Sequence, residues 1–403
     1  MLLFFCLDRE SKNSAVSLKT AGRKNERENK IMSDYFGKEI FKLGFGLMRL
    51  PKLESGEINI EETCEMVDKF IAAGGTYFDT AYVYDGSEVA TKAALVDRYP
   101  RESYTLASKI NAWMQCTDEA SAKQQFYTSL ERTGAGYFDY YLLHSLQRNN
   151  YKKYDEYHLW DFVKEQKAKG LIRYYGFSFH SDPALLDELL TLHPYVDFIQ
   201  LQINYADWEN PGVASRECYE IARKHGVSVT VMEPVKGGAL ANPSDKVKEE
   251  FLKADPNASF ASWAIRFAAS LDGIITVLSG MSNIAQVEDN LSYMKDFRPL
   301  GENELTVIEN VRKILLADES IKCTACRYCV EGCPMNIAIP EIFAVKNSET
   351  RKPSADGGKA AYESAVEGKG RASDCIECEQ CSDACPQHLP ISNILKSCLP
   401  MEE

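Results

Sequence analysis

Eight of the 13 cysteines fall in two short runs near the carboxyl end of the chain. Each run has the spacing C-x2-C-x2-C-x3-C and is followed by proline. The first contains Cys323, Cys326, Cys329 and Cys333, and the second contains Cys375, Cys378, Cys381 and Cys385. Disulfide frameworks do not concentrate cysteines in this way, and zinc ribbons use separated C-x2-C pairs. Three thiolates at this spacing can bind one face of a cubane, so the runs predict two [4Fe–4S] clusters. A zinc-bound or reduced cysteine group is the alternative.

The two runs also resemble those of two-cluster bacterial ferredoxins, in which the cysteine before proline binds the other cluster. The resemblance implies one cluster on Cys323, Cys326, Cys329 and Cys385. It implies a second cluster on Cys375, Cys378, Cys381 and Cys333. The five scattered cysteines are interpreted as buried apolar residues without an assigned role.

A second set of chemically capable residues lies far from the cysteines, at the ends of β-rich runs. Asp79 and Tyr84 belong to FDTAYVYDGSE, Lys109 ends YTLASKI, and His144 ends FDYYLLH. A carbonyl that accepts a hydride needs a proton on its oxygen, which Tyr84 can donate. We expect the Lys109 ammonium to lower the pKa of Tyr84 and Asp79 to hold Lys109 in place. His144 would orient the carbonyl and share the proton relay.

The elements that must position these residues alternate along the chain. Eight β-rich runs are predicted at Lys42–Leu50, Thr76–Tyr82, Tyr104–Ile110, Phe138–Leu143, Ile172–Ser178, Phe198–Ile203, Ser228–Met232 and Gly273–Leu278. Helical stretches separate them, among them Glu156–Lys169 and Ser259–Ala269. Eight strands alternating with eight helices predict an α/β fold, a (β/α)8 TIM barrel, whose chemistry sits at the carboxyl ends of its strands. No G-x-G-x-x-G follows a strand, so a Rossmann site is not supported.

The D-T-A-x-x-Y motif, the strand-end Lys109 and the L-L-H motif ending at His144 resemble the catalytic tetrad of the aldo-keto reductase superfamily. The resemblance covers roughly residues 40–295, and the cysteine runs resemble the ferredoxin-like extension of one branch of that superfamily. It implies hydride transfer between a nicotinamide, NAD(P)H, and a small carbonyl or alcohol substrate.

The same resemblance implies cofactor-binding residues. Ser178 matches the family serine that bonds the nicotinamide carboxamide, and Gln202 matches a glutamine beside it. Asp289 and Asn290 match an adenine-binding pair, and Gln286 lies in the same segment.

Several positions depart from the family pattern. Phe179 replaces an asparagine, and Met232 replaces the aromatic residue that stacks under the nicotinamide. The lysine and arginine that grip a 2′-phosphate fall at Gly280 and Gln286. Because those two charges are missing, NADH is favoured over NADPH.

Composition and charge limit the classes of protein to which the chain could belong. The chain has 403 residues, with 46 basic and 59 acidic side chains and a net charge of −13, which argues against nucleic-acid binding. No apolar run approaches the length of a membrane span, and the apolar start is a poor signal peptide, so a soluble cytoplasmic protein is predicted. Residues 1–31 are predicted to be a disordered or misannotated extension, residues 32–300 the barrel, and residues 301–403 a small, largely helical ferredoxin-like iron–sulfur domain.

Two functions remain open at this stage. The leading hypothesis is an NAD(P)-dependent oxidoreductase with attached clusters for electron transfer. The alternative is an electron-transfer protein in which the barrel is a docking scaffold. A hydride carries two electrons and a four-iron cluster takes one at a time, so a flavin or a redox partner protein would mediate exchange between them.

Overall fold

Eight parallel strands close into a barrel in chain order in the computed structural model, which describes residues 40–402. The strands are β1 (Leu43–Gly46), β2 (Tyr77–Asp79), β3 (Thr105–Ile110), β4 (Phe138–Leu146), β5 (Ile172–Phe179), β6 (Phe198–Gln202), β7 (Ser228–Met232) and β8 (Ile274–Ser279). The predicted (β/α)8 barrel is confirmed. The extension predicted at residues 1–31 lies outside the described residues.

The strand register brings the carboxyl ends of neighbouring strands to one rim of the barrel. Asp79 pairs with Ala107 of β3, and Lys109 of β3 pairs with Leu142 of β4. Side chains at alternate positions of a strand share one face. Polar residues near successive strand ends are therefore gathered at a common rim.

Between residues 40 and 316, eleven α-helices surround or follow the strands. They are α1 (Ile60–Ala72), α2 (Ser87–Thr91), α3 (Glu119–Thr133), α4 (Tyr151–Glu156), α5 (Leu159–Ala168), α6 (Pro183–Leu192), α7 (Ser215–Lys224), α8 (Asp245–Ala254), α9 (Phe260–Ala269), α10 (Ile284–Met294) and α11 (Glu302–Leu316). Side chains of the residues before several helices accept a hydrogen bond from a backbone amide of the first turn, which satisfies groups that the helix leaves free. These caps are Asn59, Asp118, Asp182, Ser259 and Asn283.

Two helical segments differ from the predicted ones. The helix predicted at Glu156–Lys169 forms α5, which begins at Leu159, and the preceding helix α4 was not predicted; the two are separated at His158, whose φ is 49°. Because the chain breaks there, α4 can turn Tyr154 toward the strand end, where its hydroxyl donates to the His144 carbonyl oxygen. Helix α8 was not predicted, although its buried Val247 and Phe251 have the i, i+4 spacing of an amphipathic helix.

The cysteine runs belong to a second, smaller hydrophobic core that begins near Ile321 and ends at Met401. Its helices are α12 (Tyr328–Glu331), α13 (Ile339–Arg351), α14 (Lys359–Ala365), α15 (Gln380–Asp383) and α16 (Ile391–Lys396). Helix α11 packs instead on the barrel core through Ile308 and Val311. The predicted division of the chain at residues 300 and 301 stays a prediction. Over residues 40–402, no helix is both long and apolar enough to cross a membrane.

Candidate active site

The four residues predicted to act together meet at the carboxyl rim of the barrel. The Lys109 Nζ atom donates to Asp79 Oδ1 at 2.5 Å and to the Thr80 carbonyl oxygen at 2.7 Å. The same Nζ atom lies 3.4 Å from the Tyr84 hydroxyl. The rings of Tyr84 and His144 pack edge to face with centroids 5.7 Å apart. A partly buried proton donor, a buried cation and a buried imidazole therefore share one site.

The pKa of Tyr84 shifts in the direction opposite to the one predicted. Burial raises the pKa of this phenol, and the neighbouring Asp79 carboxylate raises it further. Burial also lowers the pKa of Lys109 and raises that of Asp79, while their contact opposes both shifts. The expected lowering of the Tyr84 pKa is not found, because loss of solvent and the Asp79 carboxylate both raise it. Tyr84 is held in its protonated form, in which it can donate a proton.

His144 is fully enclosed by the barrel and its neighbours. Burial lowers the pKa of His144 well below its usual value, and Lys109 lowers it further. The ring is therefore neutral at pH 7, with one nitrogen as a donor and the other as an acceptor. Its backbone oxygen accepts from Tyr154, and from Trp113 Nε1 at 3.4 Å. A neutral imidazole at this place can orient a carbonyl oxygen without carrying charge.

A cavity of about 770 Å3, here called the barrel cavity, opens from Tyr84 and His144 toward the end of β8 and the start of α10. Gln286, Asp289 and Asn290 line its far side. Each is fixed by a hydrogen bond. Gln286 Oε1 accepts from the Ser282 amide at 2.7 Å, Asp289 accepts from a serine hydroxyl at 2.9 Å, and Asn290 Nδ2 donates to Ser279 Oγ at 2.7 Å. The cavity thus joins the tetrad to the predicted adenine-binding segment.

The two residues predicted at the nicotinamide carboxamide do not line this cavity. Ser178 is buried, and its Oγ atom accepts from the Ser145 amide at 2.7 Å. Gln202 donates to Asp207 at 2.9 Å and exchanges two hydrogen bonds with Gln387 at 3.0 and 3.1 Å. Both side chains are already engaged in protein contacts. The structure therefore separates them from Gln286, Asp289 and Asn290.

Three residues of the site were missed from the sequence. Gln200 donates to Asp79 Oδ2 at 3.2 Å and lies two residues before Gln202 on β6. Arg49, after β1, and Glu233, after β7, both line the barrel cavity, and their charged groups are 3.8 Å apart. Burial raises the pKa of Glu233. All three are polar residues at or near strand ends, so the criterion that found the tetrad applies to them as well.

The loops of the cysteine runs form part of the same cavity. Tyr328 lies between Cys326 and Cys329 in sequence, and its hydroxyl is 3.4 Å from His144 Nε2. The Thr324 carbonyl oxygen accepts from Arg49 at 2.7 Å. Cys326 itself lines the barrel cavity, as do Pro386 and Gln387. The first cysteine run and the end of the second therefore close one side of the barrel mouth.

The eight cysteines surround two small cavities. The first cysteine cavity is lined by Cys323, Cys326, Cys329 and Cys385. The second cysteine cavity is lined by Cys333, Cys375, Cys378 and Cys381. Ile339 lies between the two and lines both. These are the two sets that the exchanged ligand pattern implied.

The donor set suits an iron–sulfur cluster, because four cysteine thiols line each space. Both loops also repeat the same left-handed backbone at equivalent places, at Ala325, Arg327 and Asn336 and at Glu377, Glu379 and His388. Alternating right- and left-handed residues turn successive amides toward an anionic group, as at many iron–sulfur sites. The Ala325 amide indeed donates to Cys323 Sγ at 3.4 Å.

Comparison with known proteins matches two parts of the chain to known families. Residues 322–389 match the 4Fe-4S dicluster domain, and residues 42–313 match the Aldo/keto reductase family. The aldo-keto reductase str7 of Strobilurus tenacellus is 27% identical over 299 residues, which cover 70% of this chain and 83% of that protein. The holo form of aldo-keto reductase AKR11C1 from Bacillus halodurans is 26% identical, with a TM-score of 0.53, and the match covers 67% of this chain and 91% of that one.

An aldo-keto reductase from Klebsiella pneumoniae, solved in complex with NADPH, shares the fold with a TM-score of 0.55 at 20% identity. That match covers 68% of this chain and 91% of the solved one. Since the family match from residue 42 to residue 313 spans more than half of the sequence, the chain belongs to the aldo/keto reductase family and carries a 4Fe-4S dicluster domain after its barrel.

Proposed function

We propose that this protein is an NAD(P)H-dependent oxidoreductase that transfers a hydride between a nicotinamide and a small carbonyl or alcohol substrate, with two [4Fe–4S] clusters attached for electron transfer. The observation that carries the proposal is the meeting of Asp79, Tyr84, Lys109 and His144 at one end of the barrel cavity. Asp289 and Asn290 at the other end offer polar groups for the adenosine part of a dinucleotide.

The chain's own residues supply the proton and the orientation. A bound nicotinamide would give or take the hydride. The Tyr84 hydroxyl, protonated because burial raises its pKa, would donate a proton to the carbonyl oxygen. Lys109 and Asp79 hold one another beside that hydroxyl, and Gln200 fixes the other oxygen of Asp79. The neutral His144 ring would orient the same oxygen.

We further propose that NADH binds at least as well as NADPH. Gly280 brings no charge, and the Gln286 side chain accepts from the Ser282 amide. Arg49 lies near Gly280, but its guanidinium is directed to the Thr324 carbonyl oxygen and toward Glu233. A 2′-phosphate placed here would lack a free cationic partner, which is unfavourable for a buried anion.

Each cysteine cavity is proposed to hold one [4Fe–4S] cluster on its four cysteines, and these clusters would carry single electrons. The first cavity adjoins the barrel cavity through Cys326. At the second cavity Cys378 is exposed, and the neighbouring Ile376 is 59% exposed. This arrangement supports electron exchange with an external redox partner at the second cluster.

The second candidate function is an electron-transfer protein with little or no reductase activity. It is favoured by the Tyr328 hydroxyl, which lies against His144 where a substrate oxygen would be oriented. The engaged side chains of Ser178 and Gln202 also leave fewer groups for a nicotinamide carboxamide.

The test of the proposed function is Tyr84→Phe in anaerobically purified, cluster-loaded protein. A positioned proton donor contributes about 10²–10⁴-fold in rate, so aldehyde reduction should fall by that factor while NADH binding is retained. Tyr82→Phe, in the same segment but outside the tetrad, is the matched control and should react like the parent. If Tyr84→Phe remains within a few-fold of Tyr82→Phe, the tetrad is not catalytic. Adding NADH and NADPH while following the cluster absorbance then tests the electron-transfer candidate.

A further inference from the structure

The side chain of Tyr328 enters the tetrad from the dicluster domain. It is 8% exposed, and its ring packs edge to face on Trp113 and on His144, with centroids 5.9 and 6.2 Å away. Its hydroxyl is 3.4 Å from His144 Nε2, and Tyr328 lines the barrel cavity together with Tyr84 and His144. One phenol oxygen therefore lies against the imidazole that would orient a carbonyl oxygen, in the same cavity as the proton donor.

The position of a carbonyl oxygen that takes a proton from Tyr84 is restricted by two requirements. It must lie within about 2.6–3.2 Å of the donating hydroxyl, and it must also face His144 to be oriented by the imidazole. The Tyr328 hydroxyl already holds a place of this kind, because it lies against His144 and borders the same cavity as Tyr84. A substrate carbonyl and the Tyr328 hydroxyl cannot occupy it together.

Tyr328 is also held firmly at this place. It begins the single turn α12, between two cysteines of the first cysteine cavity. The loop on one side is bonded to the barrel by Arg49 through the Thr324 carbonyl oxygen. Gln387, which lines both the first cysteine cavity and the barrel cavity, exchanges hydrogen bonds with Gln202 on β6. Displacing the phenol therefore works against several contacts.

We propose that Tyr328 is a substrate-selecting residue that the dicluster domain contributes to the barrel site, and that its hydroxyl competes with every carbonyl compound for the oxygen position between Tyr84 and His144. This inference rests on the proposed function for the identity of the substrate oxygen. A carbonyl compound would bind only when its contacts with the rest of the barrel cavity compensate for displacing the phenol. Very small aldehydes, which offer few such contacts, would be poor substrates.

The test compares Tyr328→Ala and Tyr328→Phe with the parent, all loaded with iron anaerobically and checked for equal iron content. The probe is isobutyramide, a carbonyl compound that does not accept a hydride readily, titrated by calorimetry with and without NADH. Tyr328→Ala should bind the amide at least about tenfold more tightly, since the hydrogen bond to His144 and the ring contacts no longer have to be displaced. The amide affinity of Tyr328→Phe should increase less, because the phenylalanine ring still has to be displaced.

Val235→Ala is the matched control, since Val235 lines the barrel cavity without bonding either group. It should leave the amide affinity unchanged. Equal amide affinity in the parent, Tyr328→Phe and Tyr328→Ala would overturn the proposal. If Tyr328→Ala loses iron, only Tyr328→Phe is compared with the parent. Equal amide affinity in those two proteins would then overturn the proposal.

Kinetics separate this proposal from the proposed function. With propanal and NADH, the Tyr328 variants should show a lower KM and a kcat within a few-fold of the parent, because Tyr328 does not donate the proton. A fall in kcat with unchanged KM would count against competition at the oxygen position. If no variant oxidises NADH with any aldehyde, the proposed function fails, whereas a gain in amide affinity would still support the competing role of Tyr328.

Discussion

The ion pair between Lys236 and Asp207 is the buried charge pair that the dicluster domain touches most directly. Lys236 Nζ donates to Asp207 Oδ1 at 2.5 Å and to Gln387 Oε1 at 3.1 Å. The side chains of the pair are only 7% and 1% exposed. Gln202 and Asn204 also donate to Asp207, at 2.9 and 2.8 Å. We predict that Lys236→Met destabilises both the barrel and the packing of the dicluster domain on it.

The expected magnitude follows from what the substitution leaves behind. Removing one partner of a buried ion pair lowers the free energy of unfolding by about 3–5 kcal/mol, because the remaining charge is buried without a counter-charge. Asp207 keeps its amide donors after Lys236→Met, so the lower end of that range, about 3 kcal/mol, applies. For a chain of 403 residues that corresponds to a fall in Tm of roughly 4 °C. The double variant Lys236→Met with Asp207→Asn removes the uncompensated charge and should recover at least half of the loss.

The assay is anaerobic thermal unfolding of cluster-loaded protein, followed by far-ultraviolet circular dichroism and by the visible absorbance of the clusters. Both signals should shift, because Gln387 connects Lys236 to the first cysteine cavity. Lys69→Met is the control. Its partner Glu288 is 2.7 Å away, but the two side chains are 42% and 58% exposed, and such pairs contribute about 1 kcal/mol or less. A Tm for Lys236→Met no lower than that of Lys69→Met would refute the reasoning.

Three further predictions concern the proton donor, the clusters and the cofactor. Because burial raises the pKa of Tyr84, kcat/KM for aldehyde reduction should show no loss of the proton donor up to about pH 9, and a pH profile with a basic limb below that value would contradict this. Truncation after residue 370 removes cysteines from both cavities, so iron analysis should show the loss of both clusters, and about four irons retained in a stable cubane would indicate independent sites. Gln286→Arg should raise the affinity for NADPH by about tenfold with little change for NADH in fluorescence titrations. A parent protein that already prefers NADPH tenfold would mean that another basic residue binds the 2′-phosphate.

The barrel and its tetrad could be predicted because both depend on local patterns. Each tetrad residue lies at or just beyond the end of a strand, and parallel strands with helical crossovers bring those ends together. The same criterion extends to Arg49 and Glu233, which follow β1 and β7. Gln200 shares the β6 face with Gln202 by its two-residue spacing. Applied to all eight strands, the criterion would have found more of the site than the family motifs did.

The pKa of Tyr84 could not be predicted in the same way. Sequence spacing placed a lysine beside the phenol, and a nearby cation lowers a phenol pKa in isolation. The direction depends instead on how completely the surrounding chain removes solvent, which neighbouring residues in sequence do not determine. Here Tyr328, which comes from far along the chain, lines the same cavity as Tyr84.

The packing of the dicluster domain on the barrel could not be predicted from the sequence. The resemblance to two-cluster ferredoxins implies which thiols would share a cluster, and each cysteine cavity is lined by one of those sets. It does not specify which way the residues between the cysteines face. Tyr328 and its counterpart in the second run, Gln380, occupy equivalent places, yet Tyr328 reaches His144 while Gln380 is exposed at the start of α15. Two loops of the same local conformation thus differ in what they present to the barrel. The first places Tyr328 at the tetrad, whereas the second meets the barrel through the Asp383 carbonyl oxygen, which accepts from Asn149 at 2.8 Å. If the first loop is selected for what it presents to the tetrad, exchanging Tyr328 and Gln380 should leave both cysteine cavities intact and alter only the barrel site.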